Sequence, residues 1–210
     1  MRQIPLLAAG FLGVLACAAA ARADEATKLD GFAQRMFSTS ATGTKVPGAK
    51  HACFVRTYDA AHLARHRGQT VTAMKMLVKA ERLPEDGELS YAYELRINFR
   101  DRPGDYASSF LCGHARLSDV KREGVRIYCH DGCGDGGGVE IALAPNSKAL
   151  IVKIDDVSVN PADKPDDPDA AFDFRGGAED RVFRLDRVAD ENCKSLLDGQ
   201  GGEVAAARPE

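Results

Sequence analysis

Between Leu89 and Arg100 the chain alternates without a break. Leu89, Tyr91, Tyr93, Leu95, Ile97 and Phe99 share one parity; Ser90, Ala92, Glu94, Arg96, Asn98 and Arg100 share the other. A period of two is that of a strand, because no helix gathers six such positions onto one face. The segment is therefore a strand with one buried side, and at about twice the ordinary length it predicts coiling or a bulge. Val71 to Val78 is β-like as well, and the turn cluster Leu83-Pro84-Glu85-Asp86-Gly87 makes the two a hairpin. Shorter strands are predicted at Ser109 to Cys112, Val125-Ile127-Cys129, Val139-Ile141-Leu143, Leu150-Val152-Ile154 and Phe183-Leu185. Pro145 to Lys148 closes a second hairpin, and Asn160 to Asp169, with three prolines and four aspartates, reads as a solvated loop. The one helical pattern with a cap is Asp59 to His66, with Asp59 as N-cap. Together these elements predict a mainly β protein, an antiparallel barrel or bent sandwich of about six to eight strands with one short helix.

The chain opens as an export signal. Met1-Arg2 is followed by sixteen apolar residues, Leu6 to Ala21, and by the A-x-A site Ala21-Arg22-Ala23. The run is short for a bilayer span and ends in small residues, so residues 1–23 read as a signal peptide and no membrane span is expected. A lipidated start at Cys17, within Val14-Leu15-Ala16-Cys17, is the competing reading. The rest divides into a tether over 24–50 with at most one helical turn around Phe32 to Phe37, one β domain over 51–197, and a flexible tail over 198–210. At 44% hydrophobic and 28% charged residues the chain has the composition of a folded protein. The formal net charge is −3 and becomes about −5 once the signal is removed, which leaves no net cationic field for nucleic acid or an anionic membrane.

Without Cys17, five cysteines remain, and an oxidising compartment pairs them where geometry allows. Cys53 opens the domain and Cys193 closes it, so they are expected to tie its two ends together. Cys129 shares the inward face with Val125 and Ile127, and Cys112 ends an apolar strand that a short connection brings back, so Cys112 is expected to bond Cys129. Cys133, in a glycine-rich turn, is the expected free thiol.

Cys112, His114, Cys129, His130 and Cys133 also form a window of three thiols and two imidazoles, the ligand chemistry of tetrahedral zinc, although the spacing fits no finger or ribbon. The order C-H-x-x-C is not that of covalent haem attachment. His62 and His66 stand four apart on one helical face, but Leu63 occupies the place of the general-base Glu of H-E-x-x-H enzymes. Gly132 to Gly138 around Asp135 match neither a phosphate loop nor an EF-hand, and Asp155, Asp156, Asp163, Asp166, Asp167 and Asp169 read as solvated acidic positions rather than a calcium site. There is no G-x-S-x-G, and no catalytic residue and no cofactor is assigned.

The segments Cys53-Phe54-Val55-Arg56-Thr57-Tyr58-Asp59-Ala60-Ala61-His62-Leu63 and Glu179-Asp180-Arg181-Val182-Phe183-Arg184-Leu185-Asp186-Arg187, with the glycine-rich turn between, resemble small exported proteins of Gram-negative bacteria. The resemblance spans about Cys53 to Cys193 and implies an envelope location and no reaction. Three function classes follow. The leading one is a non-enzymatic periplasmic or secreted β-domain that binds an envelope protein or a small ligand. The alternatives are a metal-binding or thiol-redox protein using the Cys112/His114/Cys129/His130/Cys133 window, and a hydrolase with a dispersed site. Cleavage after Ala23 is expected, so Edman sequencing of the exported protein should begin at Asp24; a lipid-bearing Cys17 at the start would overturn this.

Overall fold

The computed structural model describes residues 27–37, 51–82, 89–113, 116–117, 124–130 and 138–198. The fold is mainly β. Its ten strands are β1 (His51–Thr57), β2 (Val71–Arg82), β3 (Leu89–Phe99), β4 (Tyr106–Cys112), β5 (Arg116–Leu117), β6 (Val125–Cys129), β7 (Gly138–Leu143), β8 (Ala149–Pro161), β9 (Phe172–Phe174) and β10 (Val182–Val188). Every pairing is antiparallel. Among the described residues three α-helices accompany them, α1 over 27–37, α2 (Ala60–Arg65) and α3 (Lys194–Asp198), with short 3-10 turns at Pro168–Ala170 and Asp190–Cys193.

The hairpin of β2 and β3 sets the scale. Its register runs from Val71 opposite Phe99 to Arg82 opposite Leu89, with a bulge between Val71 and Ala73. Tyr91, Tyr93, Leu95, Ile97 and Phe99 are buried, as the alternation requires. The turn residues between the strands lie outside the described residues.

The sheet closes on itself in the order β1, β2, β3, β4, β6, β7, β8, β10, and β10 pairs back onto β1. The ring is not a regular barrel, because β8 changes partners along its thirteen residues. Its first half lies between β7 and β10, Val157 to Val159 pair with β9, and Asn160 and Pro161 pair with β4. The hairpin of β6 and β7 thus stands between β4 and β8 at one end only, and that end is wider. The strand expected at Leu150-Val152-Ile154 is the first half of β8; Asp155-Asp156 made it look finished at Ile154 and so hid its second half and the strand exchange. Beyond the two acids burial returns at Val157 and Val159 on the opposite parity, because the register with β7 skips Asp155, and the loop begins only after Pro161.

Side chains fill the ring: Phe54, Met74, Met76, Tyr93, Leu95, Ile127, Ile141, Val152 and Phe183 meet in one buried cluster. At the narrow end Phe99 packs against Tyr106, Phe172 and Phe174 at centroid distances of 5.5, 5.7 and 5.0 Å. Beside it the buried Asp180 carboxylate accepts hydrogen bonds from Thr70 N (2.5 Å), Thr70 Oγ1 (2.6 Å) and Val71 N (3.2 Å), which clasps the loop before β10 to the start of β2. Asp59 caps α2, accepting from His62 N at 2.6 Å, and Arg100 donates to Leu63 O and His66 O at its other end.

At the wide end the expectation of a tether fails for residues 27–37. They form three turns of helix, not one, and Phe32, Ala33, Met36 and Phe37 are buried. Phe32 and Phe37 pack on the Tyr91 ring at 6.1 and 6.0 Å. Arg187, itself buried, locks the helix in place by donating to Met36 O (3.0 Å), Arg35 O (3.3 Å) and Ser147 O (2.8 Å) while its guanidinium lies 4.6 Å over Phe54. A cation on the last carbonyls of a helix also complements its dipole. Burial pulls the pKa of Arg187 down to about 10, and it remains charged at neutral pH. On the outer face α3 covers a second small core of Cys53, Leu77, Cys193 and Leu196, which is why Leu77 is buried on the parity that otherwise faces out.

Replacing Arg187 with Met keeps the stacked volume and removes the three donated bonds. The expected cost is about 3 kcal/mol, or roughly 6–12 °C in Tm by calorimetry, with a fall in helical dichroism as α1 releases.

Candidate functional site

The cysteines form two disulfides, Cys53 with Cys193 and Cys112 with Cys129. The first joins β1 to the segment leading into α3 on the outside of the ring. The second lies inside, where Cys112 opposite Cys129 is the single paired position between β4 and β6, supported by Gly113 N donating to Tyr128 O at 2.9 Å. Their Cα atoms are 3.9 Å apart. Gly138, with φ of 156°, starts β7 beside this seam; a Cβ there would sit 2.7 Å from Cys129 O, so the close approach requires glycine.

With their sulfurs bonded, Cys112 and Cys129 do not join a zinc ligand set. His130 is exposed at the end of β6, and His114 and Cys133 lie outside the described residues, as do Gly132 to Gly137. His62 and His66 do share a face of α2, but their rings stack at 4.2 Å instead of converging on a point. His62 Nε2 meets Gln69 Oε1 at 3.0 Å and His66 Nδ1 meets Glu179 Oε1 at 3.4 Å. Among the described residues no three His, Cys, Asp or Glu side chains converge on a metal position. His51 pairs with Asp190 at 3.2 Å. Asp155 and Asp156 are engaged by Lys153, Arg181 and Arg175, and the hydrogen bond from Lys153, opposed by some desolvation and helped by Arg181, holds the Asp155 carboxyl below its ordinary value.

A groove of about 940 Å³ lies where α1 crosses the rim of the wide end. One wall is the face of α1 carrying Lys28, Gly31 and Arg35, which recur at i, i+3 and i+7 and so line up along the helix. The floor and far wall are Gly124, Val125 and Arg126 at the start of β6, Ala142 to Pro145 at the end of β7, and Ile151 of β8. Arg126 reaches across to Glu140 with Nη1, while its buried Nε has no hydrogen-bond partner among the described residues. The groove is thus apolar below and cationic at its edges, and its volume is near the top of the range of small-molecule sites.

Gly31 stands out within it. An interior helix glycine costs about 0.5–1 kcal/mol relative to alanine, yet a Cβ at this position would meet nothing within 4 Å. Packing inside the protein therefore does not demand a glycine there, and what the missing side chain provides is width in the groove. Beneath α1, burial and the nearby Asp30 carboxylate push the Tyr91 phenol up to about 12, so it stays neutral. Burial also raises the phenols of Tyr58 and Tyr93.

Sequence reasoning passed over this site because it treated 24–50 as linker. The signal was present: Leu29, Phe32, Ala33, Met36 and Phe37 recur at i, i+3, i+4, i+7 and i+8, the stripe of an amphipathic helix. Arg126 was readable only as an outward residue of a strand.

The chain matches no known protein family, no curated protein and no solved structure.

The inner disulfide closes a loop of 17 residues, and Cys129→Ser is expected to cost on the order of 2–4 kcal/mol in denaturant unfolding. Cys133→Ser, by contrast, is expected from its glycine-rich sequence neighbourhood to leave Tm within a degree or so while abolishing thiol labelling of the purified protein.

Proposed function

We propose that this protein is an exported, non-enzymatic β-domain of the periplasm or the secreted fraction that works by binding, and that the groove between α1 and the β6–β7 hairpin is its binding site. The observation that carries the reading is the groove itself, with a glycine in its helical wall that the protein's own packing does not require. Several features support it. The two disulfides suit an oxidising compartment, and among the described residues no helix is long and apolar enough to cross a membrane. A ring packed with side chains and closed at its narrow end by aromatics offers a ligand its wide rim.

The test is to fill the groove. Gly31→Trp places an indole in open space and should fold as the wild type does. A cell-envelope extract should raise the Tm of the wild-type protein by several degrees and leave that of Gly31→Trp unchanged, since a ligand that binds only the folded state stabilises it by mass action. An equal rise in both proteins would remove the groove from consideration as the binding site.

A further inference from the structure

We propose that the groove takes an anionic amphiphile, a single apolar chain ended by a carboxylate or comparable anionic head, with the chain on the floor and the head at the cationic rim. This inference rests on the groove being the binding site and adds the chemistry of what enters it. The lining has two parts that no single polar or apolar ligand satisfies. Val125, Leu143 and Ile151, with Ala142 and Pro145, form an apolar bed. Lys28 and Arg35 of α1 stand at its edge and Arg126 of β6 in its far wall, where Glu140 already pairs with it, so a chain whose net charge is −3 places two basic side chains on the helical rim of this groove. A cationic cluster on an acidic molecule selects by local contact and not by the overall field, which suits a small ligand seated within the groove better than a large acidic surface approaching from outside.

The geometry assigns the parts of the site. Glu140 takes one edge of the Arg126 guanidinium, and the buried Nε of the same group is the donor left without a partner among the described residues. An anionic head at the rim would lie against Arg35, which is exposed on the groove face of α1, with Lys28 two turns earlier on the same face. Gly31 lies midway between Lys28 and Arg35, so the helix offers no side chain where the ligand must pass from rim to floor. Asp30, the acid of this helix, acts on Tyr91 and does not line the groove.

The test uses decanoate below its micellar concentration, titrated calorimetrically into the disulfide-intact protein at low salt. One saturating site per chain is expected. Acetate, which has the head alone, and decyltrimethylammonium, which has the chain with the opposite charge, are each expected to bind at least tenfold more weakly. The double variant Lys28→Glu, Arg35→Glu changes two exposed positions, should keep the wild-type Tm, and should weaken decanoate at least tenfold; Gly31→Trp should abolish it. Absence of a saturating site, equal affinity for the cationic amphiphile, or decanoate binding untouched by the double variant would each overturn the proposal. If decanoate fails while envelope extract still stabilises the wild type and not Gly31→Trp, the ligand chemistry is wrong and the groove reading stands. If Gly31→Trp responds to the extract as the wild type does, the groove reading itself has failed.

Discussion

A sheet has two edges, and each exposes a row of backbone donors and acceptors that invites unwanted pairing. This chain closes most of its sheet into a ring by bending one long strand, and among the described residues the short β5 and β9 keep a single partner each. β8 accepts β7 and β10 over its first half, then β9 and β4 beyond Val157, and every other strand of the ring is placed by where β8 sends it. The cost of the arrangement is a seam: β4 and β6 share a single paired position, and a covalent bond holds them where the ladder is thin. The inner disulfide is therefore part of the ring closure, whereas Cys53–Cys193 pins a short helix to the outside.

The same strand exchange makes one end wider than the other, and the wide end needs a cover. α1 supplies it with Phe32, Met36 and Phe37, and Arg187 ties it down by donating to Met36 O and Arg35 O while also holding Ser147 O of the turn after β7. A helix laid across a rim, unlike one sunk in a core, presents two faces. The apolar face closes the ring and the Lys28, Gly31, Arg35 face overlooks the ends of β6 and β7, so the groove is a by-product of how the ring is capped. That is why its two walls come from segments about a hundred residues apart in sequence.

Much of the fold was legible wherever the pattern was local. Leu89 to Phe99 announced a strand because one buried face imposes a period of two, and Asp59 announced a helix because its carboxylate can satisfy a free amide of the first turn. The site was far less so. α1 carried a readable stripe, and Thr27-Lys28-Leu29-Asp30 even has the spacing of a capping box, but Gly31 within it lowers helix propensity and the neighbouring serines, glycines and proline read as linker. The pair of histidines on α2 illustrates the opposite error: the spacing is right for a metal, yet the rings stack and hydrogen-bond elsewhere.

By itself the sequence determined the β character, the inward parity of the strands it marked, such as Leu89 to Phe99 and Val125 to Cys129, the cap of α2 and a supply of cysteines suited to an oxidising compartment, because each depends on neighbours within a few residues. Tertiary structure alone decided that Asp155 and Asp156 lie within a strand, since the arginines and lysine that neutralise them come from β8 itself and from the segment before β10. It alone decided that Arg187 points inward, because the carbonyls that repay its desolvation belong to α1 and to the turn after β7. And it alone brought Lys28 and Arg35 to Arg126, for a groove exists only when two distant surfaces are set side by side, and no local period records that distance.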